Sequence, residues 1–462
     1  MKINFTKFNK HFYTINKTFT FKLFLLLLIF FISGFFSNSI YSQQKKDLKL
    51  NTLKISNLKT GYGAKSVIIS PDNKYVFSIN LEAMNVYIFN RQSKQLLYKL
   101  QFIAHPGKGY NYSTHKWINS YQEKPVEAHF THNGRLLWVS LHNAGGIVLI
   151  DLKQLQLYDN ILKYTDNSSS NNNSNQTNNN STTKENNTNN GDEKNSTQSS
   201  DSKSNETNKN LTKTNNNIID TKYNINKLAY FYNLTQKTKI KVKLPFFKTG
   251  LTPKIITSTT DNHFLFIANW HSATVSVFDI SSNKISNFKK IKDIKGARIP
   301  RGLVVSPDNK KLYIADMGSN LIYIYTIPEF KKIGYIKVPV NPRHMVIDGN
   351  IMYTSININS KIVKIDLSSN KVILSSNTKK SARTVALSKD KKIIFVTCYR
   401  GNYVQAFRTS DLKLIAEWKS YKGPVGIDIF QKKDYIELWI VNYSTGILKV
   451  IELKEVFDNN NN

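Results

Sequence analysis

Cysteine is almost missing from this sequence: Cys398 is the single one in 462 residues. One thiol cannot close an internal disulfide, so stability must come from burial and sheet pairing. It also rules out a CxxCH haem attachment and a cysteine-built zinc site. The remaining cysteine sits in an apolar strand pattern and reads as a small buried hydrophobe. Acidic residues are scarce too, with 31 Asp and Glu against 65 Lys and Arg, a formal net charge of +34. The lysines are scattered, with no long basic block and no basic helix, so the excess reads as a solvated surface; a polyanion is the alternative partner. The glycine-rich phosphate loop, the serine nucleophile elbow, the dinucleotide fingerprint and paired HxxxH or HExxH histidines are all lacking. No cofactor and no metal are expected.

Long hydrophobic runs are lacking except at the N-terminus. Lys2, Lys7, Lys10, Lys17 and Lys22 precede an apolar run over 23–36, broken only by Ser33 and Gly34. The run falls short of the ~20 residues a comfortable membrane span needs. It predicts a signal peptide over residues 1–42, cleaved near Ser42, and so an exported protein of the periplasm, cell envelope or surroundings. An uncleaved signal anchor is the rival. No cysteine follows the run, which argues against a lipoprotein.

What is present in abundance is repetition. Residues 300–316, PRGLVVSPDNKKLYIAD, and residues 64–80, AKSVIISPDNKYVFSIN, each read as strand, tight turn, strand. Proline fixes φ in the turn, and Asp-Asn tolerates the left-handed region. Third and fourth alternating strands follow. The unit recurs seven times, starting near Lys65, Val126, Lys254, Arg301, Arg343, Arg383 and Val425, and the last four starts lie 42, 40 and 42 residues apart. Four strands every ~40–45 residues is the signature of a β-propeller. The expected fold is all-β, a seven-bladed propeller of four-stranded antiparallel blades over residues 43–462. The seventh repeat lacks its outer strand, and the alternating stretch 48–55 has no other place to go. It should complete that blade and close the ring. Between the second and third repeats the spacing stretches to 128 residues. The excess is an Asn-rich insertion at about 166–217, too poor in apolar residues to offset its ordering entropy. The stretch 223–244 then reads as a hairpin finishing the second blade.

Repeats of this form, a PRGLVVSPDNKKLYIAD unit followed by a loop and an IYIYT strand, resemble the YVTN-type β-propeller repeat. That group includes YncE-like exported proteins and the broader lactonase-like propellers. The resemblance covers residues 47–455 apart from the insertion. It implies the fold; it implies little about activity, because propellers host many functions. Some relatives open sugar lactones, and no motif here maps onto theirs residue by residue.

In a propeller the first strand of each blade lines the central channel. Collecting the residue at the mouth of each first strand gives Lys65, Val126, Lys254, Arg301, Arg343, Arg383 and Val425. Five of these seven are basic and none is acidic. Nearby positions add Glu127, His129 and His344. We expect an anion site here, with arginine forks suited to carboxylate or phosphate. The arginines are expected to be solvent-lined. Loops between second and third strands bring Glu82, His142, Asn143, Trp270, His271, Met317, Tyr399, Arg400 and Tyr443 to the same face. Such a mixture suits a sugar or aromatic ring. The connection over 103–124 is long for an inter-blade link and carries His105, Tyr110, His115, Trp117 and Tyr121, as a recognition loop or a lid. The expected partner is an anionic or sugar-like small molecule, or an envelope protein, held by a monomer. The alternative is a lactonase-like hydrolase at the same face, with a histidine as base and Glu82 or Glu127 as acid.

Overall fold

The computed structural model describes residues 47–111, 113–156, 160 and 226–458. The expected signal segment and the Asn-rich insertion lie outside the described residues. The chain divides into two compact units. The smaller comprises 1–49 and 456–462 and is described only at 47–49 and 456–458, all extended. Residues 50–455 form the larger unit, a ring of seven antiparallel blades.

The first strands of the blades are Ala64–Ile69, Pro125–Thr131, Pro253–Ser258, Pro300–Val305, Pro342–Asp348, Ala382–Leu387 and Pro424–Lys432. Five begin with proline, which suits the first position of an inner edge strand, where no ladder donor is required. Blades 3 to 6 are regular four-stranded sheets. In blade 7 the outermost strand is Asp47–Lys59, beside Ile447–Asp458, so the start of the repeat region closes the ring as expected. Thr52 in that strand accepts a hydrogen bond from Trp418 Nε1 of blade 6 at 2.8 Å.

Alternating strands bury one set of side chains between neighbouring blades. Phe77 and Leu100 of blade 1 meet Leu137 and Val148 of blade 2. Phe89 meets Trp439 and Leu448 where blade 1 adjoins blade 7. Trp138 and Trp439 are wholly buried; each such large side chain contributes about 1.5–3 kcal/mol. On the floor, the face carrying the turns between first and second strands, Ser70 Oγ donates to Asp72 at 2.6 Å and Asn73 takes φ 59°. Asn309 has the same φ, and its Oδ1 accepts from Thr260 N of blade 3 at 2.9 Å. One asparagine thus satisfies the left-handed turn and ties two blades together.

Blades 1 and 2 depart from the expected pattern. Of the predicted hairpin only Thr238–Lys248 completes blade 2. Its partner, Asn226–Asn233, pairs on its other side with Leu96–Phe102, the outer strand of blade 1, and the two blades fuse into one nine-stranded sheet. Phe231 lies opposite Leu100, and Ala229 opposite Phe102. The extra strand covers an edge that would otherwise be open and adds Phe231 to the core between the two blades.

The connection over 103–124 is a β-hairpin, Pro106–Asn111 with Lys116–Tyr121. Its base is anchored by Glu123, whose side chain is fully buried, salt-bridged to Lys227 Nζ on the extra strand at 2.7 Å. Glu123 also accepts from the backbone of His105 at 2.8 Å. The fused sheet therefore holds the hairpin over the channel face.

Candidate functional site at the channel mouth

Every first strand carries a β-bulge near its start, and every bulge contains the mouth residue. The register breaks between Ala64 and Ser66, Pro125 and Ala128, Pro253 and Ile256, and Pro300 and Gly302. It breaks likewise between Pro342 and Met345, Ala382 and Val385, and Pro424 and Ile427. A bulge leaves a residue out of the ladder and re-aims its side chain. That is how Lys65, Lys254, Arg301, Arg343 and Arg383 come to share one mouth. The displaced amides find hydroxyls: Glu127 N donates to Ser140 Oγ at 3.1 Å, His344 N to Ser355 Oγ at 3.2 Å and Thr384 N to Thr397 Oγ1 at 3.0 Å. The strands crowd closely here. A Cβ on Gly302 would lie 2.5 Å from Arg343 O, and one on Gly426 would lie 2.9 Å from Ser66 Cα.

The expectation of solvent-lined arginines needs correction. Arg301 is only 5% exposed, Arg343 9% and Lys254 6%; Lys65 and Arg383 are part-buried. The cause is the narrow mouth, which turns the side chains towards one another. Arg301 Nη2 donates to Glu127 Oε1 at 3.0 Å. Arg301 Nε and Nη1, Arg343 Nε and Arg383 Nε are buried without a hydrogen-bond partner. Aromatic faces and sulfur take part of the load. Lys65 Nζ sits 3.9 Å from the Tyr443 ring centre, Lys254 Nζ 4.7 Å from that of Trp270, and Arg383 4.7 Å from that of Tyr399. Arg343 Nη1 lies 3.3 Å from Met317 Sδ.

Electrostatics at the mouth run one way. Burial, then the charges of Arg383, Arg343 and Arg301, hold the Lys65 ammonium well below its usual range. Burial lowers Lys254 likewise, followed by Arg301 and Lys65. Burial and repulsion from Arg301 bring Arg383 down to about 10, and Arg343 is lowered by burial, Arg383 and Arg301. Guanidinium groups keep their protons in proteins, so the mouth stays strongly cationic, with Glu127 as its counter-charge.

Beneath the ring lies a cavity of about 480 Å³, lined among others by Glu127, His129, His344, Thr384 and Asp428. Burial pushes His129 and His344 down to about 4, so both imidazoles are neutral near pH 7. His129 Nε2 contacts Ser258 Oγ at 2.9 Å. His344 Nδ1 is buried and unpartnered. Asp428, raised by burial to about 6, accepts from Ile69 N at 2.7 Å.

The hairpin reaches the rim at blade 3. Tyr110 and Trp117 pack against His271 in tilted contacts, with ring centres 4.5 and 5.3 Å away, and His271 Nδ1 is 2.6 Å from Thr252 Oγ1. Lys254 Nζ contacts His142 Nε2 at 2.6 Å. Three anticipated residues stand apart from the cationic ring. Glu82 is engaged by Lys124 Nζ at 2.6 Å and Tyr443 Oη at 2.9 Å. Arg400 is exposed. His115 lies at the hairpin turn, 3.5 Å from Tyr110 Oη. Glu123, Lys227, Asp428 and the bulge-capping hydroxyls were not singled out by the sequence. The hydroxyls did leave a signal, because Ser140, Ser355 and Thr397 all occupy the fifth position of a six-residue second strand.

A family model described as "Lactonase, 7-bladed beta-propeller" matches residues 228–382. With the blade topology, this decides the class. The chain is a β-propeller repeat protein. The matched part of the propeller includes Lys254, Arg301 and Arg343. Antigen Lp49 of Leptospira interrogans serogroup Icterohaemorrhagiae serovar copenhageni (strain Fiocruz L1-130) is 28% identical over 211 residues, which cover 41% of this chain and 45% of that protein. The match thus spans less than half the length of that relative. Among the described residues, no three His, Cys, Asp or Glu side chains group as metal ligands, and no helix is long and apolar enough to cross a membrane.

Proposed function

We propose that the chain is an exported binding protein that holds an anionic small molecule at the channel mouth. The observation that carries this reading is the set of buried, unpartnered guanidinium nitrogens on Arg301, Arg343 and Arg383. A buried donor left unmatched costs about 1–3 kcal/mol, more when charged. A carboxylate or phosphate would accept several at once and offset the mutual repulsion of the ring. The aromatic hairpin over blade 3 supplies an apolar wall for the rest of the ligand.

The test is thermal unfolding of the full chain with carboxylates and phosphates added singly. We expect a concentration-dependent rise in Tm with at least one class, lost in Arg343→Met and Arg383→Met. An equal response in wild type and both variants overturns the reading.

A second reading, hydrolysis of a sugar lactone, is favoured by the lactonase-type family match. Glu127 and the neutral His344 line the same cavity. Turnover in a lactone screen that disappears in Glu127→Gln would establish it in place of simple binding.

A further inference from the structure

One contact at the mouth joins three polar side chains in a line, and anion binding does not require it. Lys254 Nζ lies 2.6 Å from His142 Nε2, and His142 Nδ1 lies 3.0 Å from Asn143 Oδ1. Asn143 is itself fixed, because its Nδ2 donates to Tyr121 O at 2.9 Å and to Ser120 Oγ at 3.2 Å on the hairpin. The asparagine amide is therefore committed to the hairpin, and its oxygen faces the imidazole. His142 must carry its proton on Nδ1 and present the Nε2 lone pair to the lysine. A nucleophile touching a base, with the base oriented by a third group, is the arrangement that activates side chains for covalent chemistry.

We propose that Lys254 is a covalent carbonyl-capturing residue that forms an imine with the keto group of a 2-oxo acid, with His142 as its base and Asn143 orienting His142. The ligand's carboxylate would rest on the ring of Arg301 and Arg343; that half of the inference rests on the anion-site reading above, and the amine chemistry does not. Burial and then the surrounding cations disfavour the ammonium form of Lys254, the direction that favours an amine nucleophile beside its base. Lys65 has a similar environment but stands over the Tyr443 ring instead of against a histidine.

The reaction balances without any further reagent. The amine nitrogen attacks the carbonyl carbon, the N–C bond forms and the π pair moves to oxygen. One N–H proton passes through His142 Nε2 to that oxygen, giving a carbinolamine. The nitrogen lone pair then forms C=N as the C–O bond breaks. The second N–H proton follows the same route to the departing hydroxyl, which leaves as water.

The experiment incubates the full chain with pyruvate and cyanoborohydride at neutral pH and maps the reduced adduct by peptide mass. We expect one adduct per chain, on Lys254, at pyruvate concentrations that leave other lysines unmodified. It should be absent in Lys254→Arg, which keeps a long basic side chain but no amine, and slowed about a hundredfold in His142→Gln. Lactate, which has the carboxylate but no carbonyl, should compete. Modification spread over exposed lysines with Lys254 no faster than the rest overturns the proposal. So does Tm stabilisation by lactate and pyruvate without any Lys254 adduct, an outcome that leaves the anion site standing. A Lys254 adduct that neither lactate nor Arg343→Met slows sustains the lysine chemistry and overturns the anion reading.

Discussion

At the floor of the propeller, Ser70, Asp72, Asn73, Asn262 and Asn309 engage one another or the backbone, and the turn polar groups pair within or between blades. At the mouth, the same seven strands hold three guanidinium groups and two lysines together against Glu127 and leave four guanidinium nitrogens unmatched. The floor resembles a structure optimised to persist. The mouth carries repulsion that a folding requirement alone would not retain, and that is why we place function there. The difference teaches where this molecule tolerates change. Alterations at the floor and at blade closure should destabilise, whereas some at the mouth should stabilise.

The largest expected effect breaks closure. Deleting residues 50–57 removes the outer strand of blade 7 and the Thr52–Trp418 contact. We expect a loss of about 5 kcal/mol or more and an aggregation-prone edge, seen as loss of cooperative unfolding in denaturant titration. Next comes Lys227→Met, which leaves the buried Glu123 carboxylate without its ammonium. We expect about 3–5 kcal/mol of destabilisation in urea unfolding, together with increased proteolytic cleavage within 106–121.

Arg343→Met should go the other way. It removes a buried charge repelled by Arg383 and Arg301 and keeps most of the volume. In anion-free buffer we expect a gain of about 1 kcal/mol, measured by calorimetry. A loss of similar size would contradict the contrast between mouth and floor.

The smallest effect is a pH dependence. His129 and His344 take up a proton near 6.5 in the unfolded chain but only near 4 in the fold. Between these values the native state binds fewer protons, so their stabilisation is full above pH 6.5 and is lost as pH falls towards 4. Asp428 opposes this. Held at about 6 against 3.8, it binds more protons in the native state over that window. Tm should fall on the order of a few degrees from pH 7 to pH 4.5, and fall further in Asp428→Asn.

The blades were legible in the sequence because their turns are chemically distinctive. Ser-Pro-Asp-Asn recurs at 70–73 and 306–309, and the spacing between repeats is close to constant. The ring was legible for the same reason, since equivalent positions in a circular repeat must converge. The fusion of blades 1 and 2 was not. The alternation in Asn226–Asn233 reveals a strand but not its partner, and Leu96–Phe102 lies more than a hundred residues away. The burial of Arg301 and Arg343 was hidden as well. Arginine is usually exposed, and only the bulge and the narrowness enforced at Gly302 show that the side chains turn inward. The Lys254–His142 contact spans two blades and 112 residues, beyond the reach of any local pattern.

The bulges carry a last consequence. Each blade lends the mouth one side chain that is already outside the hydrogen-bonded ladder, so its identity can change while the sheet behind it stays put. Seven positions of this kind exist, five of them basic and facing one another at the mouth and two of them, Val126 and Val425, buried. Diversification of such a scaffold need not proceed through loops at all. Substituting one bulge residue per blade, in any combination, would recompose the charge and shape of the aperture and leave the seven sheets behind it as they are.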